Sequence, residues 1–166
     1  MKKKAAVIGY GGMGPGFHCK HLSESDVCTL AGIYDIDPKK RELAASRGVK
    51  VYNTREELLA DPEIELVTIA TPNDCHRPLA IAAMEQGKHV ISEKPVTLSS
   101  LDLQAMIDAS REYGRIFSVH QNRRWDEDFL VMKKIYEENT LGRVFNIESR
   151  VHGSRGVPGD WPNRKL

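Results

Sequence analysis

The sequence predicts an α/β fold built on a doubly wound parallel sheet, and two observations support this prediction. First, an apolar run at residues 4–8 is followed at once by the glycine-rich turn G-Y-G-G-M-G at residues 9–14. The run is too short for a helix and is typical of a buried parallel strand. Second, short apolar runs then alternate with helical patterns, which is the order of a parallel sheet with connecting helices.

Strands and helices are predicted to alternate as far as residue 120. The strands are expected at residues 4–8, 28–34, 49–52, 64–70, 89–92 and 116–119. The helices between them are expected at residues 17–22, 38–46, 54–61, 75–86 and 99–113. Past residue 120 the pattern changes, with a helix predicted at residues 125–139 and a half-buried strand at residues 144–151. We therefore expect one domain at residues 1–120 and the beginning of a second at residues 121–166.

The glycine-rich turn predicts a dinucleotide site. Gly9 permits a tight turn, Gly11 lets the backbone approach a pyrophosphate, and Gly14 lets helix and strand pack closely. Backbone N–H groups at the start of the following helix, beside Gly12 and Met13, would face the phosphates. The motif alone is a weak signal, because a glycine turn that binds nothing has the same pattern.

A carboxylate at the expected distance strengthens this interpretation. The second apolar run ends at Asp35, twenty-one positions after Gly14, where a dinucleotide fold places the acid that bonds the adenosine ribose hydroxyls. Such a carboxylate would repel a 2′-phosphate, so NAD is favoured over NADP. Lys39, Lys40 and Arg41 lie just beyond and could hold that phosphate, so NADP stays open as the less favoured cofactor.

Composition excludes several classes of function. The formal net charge is +1, which gives no electrostatic case for nucleic acid or membrane partners. The basic start is cut off by glycines before a signal-peptide hydrophobic region, and no stretch approaches transmembrane length. Three cysteines without a C-x-x-C pair indicate reduced thiols in a cytoplasmic protein. The His-Cys-Lys-His run at residues 18–21 is interpreted as a helix face, so no metal is expected.

A lysine follows the predicted fifth strand, at the sheet edge where ligands bind in open α/β folds. Pro95 keeps Lys94 out of the helical region, so the lysine lies in an extended or turn geometry. Lys94 could donate a hydrogen bond to a substrate oxygen and help to remove a hydroxyl proton as hydride leaves the carbon. On these residues alone, a surface turn with a charged Glu93–Lys94 pair is the favoured interpretation.

A longer set of motifs resembles one known family. Its segments, in order, are Thr71-Pro-Asn-Asp-Cys-His76, Ala80 with Ala83, Gly87-Lys-His-Val90, Glu93-Lys-Pro95 and Asn122-Arg-Arg-Trp-Asp126. Together with the glycine turn and Asp35, they resemble the glucose–fructose oxidoreductase / inositol 2-dehydrogenase (Gfo/Idh/MocA) family. The resemblance covers nearly the whole chain. It implies a Rossmann NAD(P)-binding fold and a dehydrogenase that acts on a CH–OH group of a sugar, cyclitol or related polyol.

The resemblance also implies roles for individual residues. Lys94 would be the catalytic or substrate-binding lysine, Glu93 would lie by the nicotinamide ribose, and the Lys94–Pro95 peptide is expected to be cis. Arg123 and Arg124 would be near the substrate, although a basic surface turn fits them equally. His76 opens a helix, and on that position alone a cap or a packed ring is favoured over a ligand-binding role. The implied cofactor-binding residues are Gly9, Gly11, Gly12, Met13, Gly14, Asp35, Thr71, Pro72, Asn73, His76, Glu93, Lys94 and Gln121.

The chain departs from the family pattern in two places. Phe17-His18 comes about one residue later after the third glycine than expected, so the first helical turn is expected to differ. Family members run to roughly twice this length, and their second domain carries an Asp-x-x-x-His element whose histidine completes the acid–base pair. The chain stops before that element, so we expect a fragment with cofactor binding but little or no turnover. Trp161 and Arg164 resemble a late segment that can fold over the cofactor.

Two other functions remain open at this stage. One is a nucleotide-binding or regulatory module without chemistry, against which Lys94 argues. The other is a methyltransferase-type nucleotide fold, in which the Glu-Lys-Pro motif has no role. The full-length form is expected to be a homo-oligomer, since family members pair through the second domain. Because residues 144–151 would be a strand with an unpaired edge, either self-association through this strand or disorder of residues 152–166 is expected.

Overall fold

The computed structural model describes residues 2–150. These residues form two compact units, one ending at Gln121 and one beginning at Asn122. The first unit contains five strands, β1 to β5, at Lys3–Ile8, Cys28–Tyr34, Leu66–Ile69, His89–Ser92 and Phe117–Val119. Its α-helices, α1 to α5, are Lys20–Glu24, Pro38–Ser46, Arg55–Ala60, His76–Glu85 and Ser100–Glu112. In the second unit α6 covers Glu127–Glu137.

The five strands form one parallel sheet in the order β2-β1-β3-β4-β5. The chain moves outward from β1 to β2 and then returns to the other side of β1 to add β3, so the sheet is doubly wound, as predicted. The carboxyl ends of β1 and β3 flank the point where the strand order reverses. Open α/β sheets bind their ligands in the crevice outside this point.

The predicted strand at residues 49–52 is wrong as a full strand. Val51 makes a single parallel bridge with Ile33, and only two backbone hydrogen bonds accompany it: Ile33 N–H to Lys50 O and Tyr52 N–H to Ile33 O, both 2.9 Å. Residues 50–52 therefore lie along the outer edge of β2 as an incomplete sixth strand. The sheet therefore has five full strands rather than the six that the sequence predicts.

The start of the first helix is π-helical. Residues Gly14–Cys19 form this π-helical turn before α1 continues the chain. The N–H of His18 donates to Met13 O at 3.1 Å, an i→i+5 hydrogen bond that accommodates one extra residue per turn. Pro15 in this turn has no N–H to donate. The wider turn thus accommodates the extra residue that separates Phe17-His18 from the third glycine.

Capping side chains define where several helices begin. Asp37 accepts from Lys39 N at 2.9 Å at the start of α2, and Pro38 occupies the first helical position. Thr54 and Glu57 form a capping box at the start of α3. Ser99 caps α5 through the N–H of Asp102. These local hydrogen bonds explain why the predicted helix starts agree with the structure.

The core lies on both faces of the sheet. Alternate residues of β1 point to opposite sides: Ile8 joins one buried cluster and Val7 the other. The larger cluster packs α3, α4 and α5 against the sheet through side chains such as Leu58, Met84 and Met106, which have no exposed surface. The smaller cluster contains Cys19 and Ala44, from the π-helical turn and α2. Both faces of the sheet are therefore covered by helices.

In the second unit, the predicted helix at residues 125–139 is observed as α6, preceded by a short 3₁₀ turn at Asn122–Trp125. The predicted strand at residues 144–151 is wrong for the described residues 144–150, which form no strand. Phe145 is 95% exposed and Ile147 is 61% exposed, so the alternating pattern has no buried face. A strand needs a pairing partner, and none of the residues 2–150 pairs with this segment. The expectation of disorder at 152–166 falls outside the described residues.

Candidate functional site

A cleft of about 910 Å³ opens at the carboxyl ends of the strands. Gly9, at the end of β1, and Thr71, just past β3, both line it. Asp35 follows β2, and Lys94 follows β4. The four segments that the sequence assigned to one sheet edge thus share one cleft. Its size is within the range of ligand-binding pockets.

Two glycines of the turn are required by the fold. Gly9 has a φ of +103°, and a Cβ there would overlap the carbonyl oxygen of Ala70. A Cβ on Gly14 would overlap the carbonyl oxygen of Gly9. Gly14 is buried and does not line the cleft, so its contribution is close packing between the turn and the first helix.

The middle of the turn is open toward the cleft. A Cβ on Gly12 would meet nothing within 4 Å, and one on Gly11 would meet only the Lys40 amine at 3.5 Å. Among residues 2–150, no acceptor is bonded to the N–H groups of Gly11, Gly12 and Met13. Unsatisfied N–H groups at the start of a helical segment attract anionic groups. The turn therefore fits the pyrophosphate of a dinucleotide.

Asp35 is 5% exposed and holds the glycine turn to β2. One carboxylate oxygen accepts the N–H of Tyr10 at 2.6 Å, and the other accepts the N–H of Asp37 at 2.8 Å. Each carboxylate oxygen has two lone pairs, so further acceptor capacity faces the cleft. Asp35 thus combines a structural role, which the sequence pattern did not indicate, with the position expected for a ribose-binding acid.

Basic side chains surround Asp35. The Lys40 amine is 3.8 Å from Asp35 Oδ2 and lines the cleft. The guanidinium of Arg41 donates to the carbonyl oxygens of Asp35 and Ile36, at 2.6 and 3.1 Å, and is not part of the cleft lining. Of the three basic residues that the sequence offered for a 2′-phosphate, Lys40 alone lines the cleft.

The Glu93–Lys94–Pro95 segment forms the other end of the lining. The Lys94–Pro95 peptide bond is cis, which confirms that expectation. Lys94 is exposed to the cleft, whereas the neighbouring Glu93 is 5% exposed. Glu93 Oε2 accepts the backbone N–H of Lys94 at 3.1 Å. The lysine side chain is therefore free to meet a ligand, while its backbone is tied to a buried carboxylate.

Two histidines converge on that carboxylate, and the sequence interpretation missed this cluster. His18 Nε2 lies 2.7 Å from Glu93 Oε1, and His120 Nδ1 lies 2.9 Å from the same oxygen. Burial lowers the pKa of His18, and this outweighs the opposing effect of Glu93. Burial tends to raise the pKa of Glu93, but its hydrogen bonds to His18 and the Lys94 N–H bring it below its usual range. A charged Glu93 beside a neutral His18 is the favoured state.

Two nitrogens and one oxygen within 4.8 Å of one another are also a donor set for a transition metal. The separations of 2.7 and 2.9 Å are, however, hydrogen-bond distances. Ligands of a tetrahedral zinc ion lie about 3.3 Å apart, from metal–nitrogen distances of roughly 2.0–2.1 Å. The side chains as arranged are hydrogen-bonded to one another, and metal binding would require them to separate.

His76 is fully buried and lies outside the cleft lining. Its Nε2 is 2.9 Å from Thr71 O, and its Nδ1 is 3.0 Å from Val96 O. A neutral imidazole can donate only one of these hydrogen bonds. The ring joins the segment after β3 to the segment after β4, so here it acts as a packed ring that supports Thr71.

Only some of the remaining predicted site residues line the cleft. Thr71 and Pro72 line the cleft, whereas Asn73 and Gln121 do not. Arg123 and Arg124 are exposed in the second unit, and their substrate role stays a prediction. Trp161 and Arg164 lie outside the described residues.

The cleft also has lining residues that the sequence interpretation did not single out. Ile36 directly follows Asp35, is 84% exposed and lines the cleft. Leu79 and Pro78 of α4 add apolar surface, and Arg55 of α3 adds a cation. The sequence carries no signal for Ile36, because its exposure is known only from the structure. Arg55 reaches the cleft only because α3 packs beside β2, which the sequence alone does not show.

A comparison with protein families shows to which family the chain belongs. Residues 3–121 match the family model GFO_IDH_MocA, described as an oxidoreductase family with an NAD-binding Rossmann fold. The chain belongs to the Gfo/Idh/MocA family. Residues 3–121 are its NAD(P)-binding Rossmann domain, which confirms the fold and the dinucleotide-binding class predicted from the sequence.

Relatives of this Gfo/Idh/MocA chain are longer than it is. It is 39% identical over 146 residues to the uncharacterized oxidoreductase YdgJ of Escherichia coli, covering 88% of this chain and 42% of YdgJ. It is 36% identical over 140 residues to the scyllo-inositol 2-dehydrogenase (NADP(+)) IolW of Bacillus subtilis, covering 83% and 38%. The crystal structure of an NAD-binding protein from Listeria innocua matches with a TM-score of 0.88 at 50% identity, covering 97% and 48%. The chain thus spans less than half the length of each.

No α-helix among residues 2–150 has both the length and the apolar character that crossing a membrane requires.

Proposed function

We propose that this chain is the nucleotide-binding part of a dehydrogenase that transfers hydride between a nicotinamide cofactor and a hydroxyl or carbonyl group of a sugar, cyclitol or related polyol. The observation that carries the proposal is that one cleft holds the open glycine turn, Asp35 and the amine-bearing Lys94. A nucleotide-binding module without chemistry has no need for a lysine there. The name of the relative IolW, a scyllo-inositol 2-dehydrogenase, supports the substrate class.

In this proposal the cofactor, when bound, accepts or supplies the hydride. The N–H groups of Gly11 and Gly12 bind its pyrophosphate, and Asp35 bonds its adenosine ribose. Lys94 donates a hydrogen bond to the substrate oxygen and takes part in moving its proton. The second acid–base group is expected in the domain that family members carry beyond this length, so the chain alone is expected to bind cofactor with little or no turnover.

We propose NAD as the preferred cofactor. The negative charge of Asp35 at the cleft wall supports this preference, because it disfavours a 2′-phosphate. Arg41 uses its guanidinium on backbone carbonyls, and Lys40 is close to Asp35, so neither cation is left without a partner. Lys40 and Arg55 are the residues through which NADP would bind, and the relative IolW is named for NADP(+).

Titration with NADH and NADPH, followed by nicotinamide fluorescence and thermal stability, tests both the dinucleotide site and the preference for NAD. The informative variant is Asp35→Asn, which removes the charge and keeps an oxygen for the Tyr10 N–H. It should shift the NADPH-to-NADH affinity ratio by about tenfold toward NADPH, equivalent to 1.4 kcal/mol. Asp37→Asn is the matched control, because it removes the same charge two residues away, outside the cleft lining, and asparagine caps a helix as well as aspartate does.

The outcomes distinguish the dinucleotide site from the preference for NAD. A wild-type chain that binds neither nucleotide contradicts the dinucleotide site itself. An affinity ratio that moves equally in both variants assigns the effect to general charge, and the preference for NAD then does not depend on Asp35.

The remaining parts of the proposal concern the whole protein. A cytoplasmic location is supported by the three thiols, none of which forms a disulfide. A homo-oligomeric full-length form rests on the family resemblance and is tested by sedimentation of the longer protein. Its substrate is to be sought by screening polyols and cyclitols for NAD reduction.

A further inference from the structure

The cluster of His18, Glu93 and His120 has a role that cofactor binding and hydride transfer do not by themselves explain. The three side chains come from the segments that follow β1, β4 and β5. Both imidazoles reach the same oxygen, Glu93 Oε1, and the second oxygen receives the Lys94 N–H. Among the described residues, these three N–H groups are the donors to a carboxylate that is 95% buried, since its exposed fraction is 5%.

The hydrogen-bond pattern requires particular protonation sites on the rings. For both rings to donate to Glu93 Oε1, His18 must carry a hydrogen on Nε2 and His120 on Nδ1. A buried carboxylate is stable in one orientation when its acceptor sites are filled in this way. Phe17 packs against both rings, with centroid distances of 5.3 Å to His18 and 5.0 Å to His120, and restricts their movement.

The π-helical turn is what brings His18 to this position. An α-helical residue advances about 100° around the helix axis, so a turn with one residue fewer would rotate the ring away from Glu93. The wider turn, closed by the His18 N–H and Met13 O, directs the ring toward β4. It thereby links the glycine turn at one end of the cleft to the Lys94 segment at the other.

We propose that His18 and His120 are positioning residues that hold Glu93 in the orientation in which it fixes the backbone of Lys94 at the nicotinamide half of the cleft. The proposal rests on the proposed function, because that function assigns the nicotinamide to the Lys94 end. It predicts that the two histidines affect binding of the nicotinamide half of the cofactor and leave the adenosine half unchanged.

The test compares two ligands, NADH and ADP-ribose, which lacks the nicotinamide. His18→Leu and His120→Leu each remove one donor to a buried charged group, and they should weaken NADH binding by about tenfold to a hundredfold. ADP-ribose binding should change by less than about twofold. His18→Gln and His120→Asn place an amide N–H near the lost donor position and should recover most of the NADH affinity.

His21→Leu is the matched control. The His21 ring stacks on the same Phe17 at 4.2 Å, but its Nδ1 donates to Phe17 O and it does not contact Glu93. It should bind both ligands as the wild type does. Far-UV circular dichroism checks folding. If the buried His18→Leu variant does not fold, His120→Leu, whose side chain is 20% exposed, decides the question.

Each outcome has a distinct meaning. Selective loss of NADH binding with recovery in the amide variants supports the positioning role. Unchanged NADH binding in the leucine variants, or equal loss of both ligands, overturns that role and leaves the proposed function intact. A wild-type chain that binds neither ligand overturns the proposed function, and the positioning role with it.

Discussion

Alanine substitution at Gly9 should destabilise the fold, whereas alanine substitution at Gly12 should weaken cofactor binding. At Gly9 the φ of +103° disfavours any side chain, and the new Cβ would overlap the carbonyl oxygen of Ala70. The Cβ position is fixed by the backbone of residue 9, and the oxygen belongs to the backbone of Ala70 at the end of the adjacent strand, so neither atom can rotate away. At Gly12 the new Cβ would meet no protein atom within 4 Å and would occupy the space of the cleft instead.

The magnitudes follow from these two environments. The left-handed backbone conformation costs roughly 1–2 kcal/mol for a residue with a Cβ, and overpacking costs roughly 1–3 kcal/mol more. Gly9→Ala should therefore lower the free energy of unfolding by roughly 2–5 kcal/mol. Gly12→Ala should change it by no more than about 0.5 kcal/mol. The same Gly12→Ala variant should weaken NADH binding at least about tenfold, because the methyl group would occupy cleft space beside the open N–H groups of the turn.

Urea unfolding followed by far-UV circular dichroism measures the stabilities, and nicotinamide fluorescence measures NADH binding. Trp125 is a poor fluorescence reporter of the core, since it is 77% exposed and lies in the second unit. The reasoning is refuted if Gly9→Ala is as stable as the wild type. It is refuted separately if Gly12→Ala binds NADH normally, because the turn would then not face the ligand.

Three further predictions concern other parts of the first unit. The unfolded chain binds a proton at His18 more readily than the folded chain, since burial lowers the pKa of the folded His18, so the unfolding free energy should fall as the pH drops from about 7 to 5. His18→Gln should flatten this dependence in urea titrations at several pH values, and an unchanged slope would contradict the assignment. Thr54→Ala should destabilise the chain by about 1 kcal/mol through loss of the capping box, whereas Thr54→Ser should not. Burial raises the pKa of Cys19 to about 11, so iodoacetamide should label it far more slowly than the partly exposed Cys28, as read by mass spectrometry; equal rates would mean that Cys19 is accessible.

The sequence predicted most of the first unit because its signals are local. Capping residues such as Asp37 and Thr54 act within three positions of themselves, and the glycines that follow helices set their ends through backbone conformation alone. The two wrong strands failed for a non-local reason. Residues 49–52 and 144–150 have suitable patterns, but a strand exists only when another strand supplies its hydrogen bonds.

The candidate site likewise has features that the sequence predicted and contacts that it did not. The glycine turn, Asp35 and Lys94 are separated along the chain, yet each follows a strand, and the rule for open parallel sheets was enough to bring them to one edge. The sequence did not indicate that Asp35 also holds Tyr10, and it left open whether His76 lines the cleft or is a packed ring in contact with Thr71. These contacts depend on side-chain directions that strand order does not specify.

By itself, then, the sequence determined the alternation of strands and helices, the edge of the sheet where ligands bind, and the residue types available there. Only the tertiary structure decided which of those residues meet. His18, Glu93 and His120 are separated by 75 and 27 positions, and their contact requires three parallel strands in register together with a π-helical turn one residue wider than usual. A hydrogen bond between side chains is sensitive to small changes in the distance between donor and acceptor, and packing across the whole sheet sets that distance.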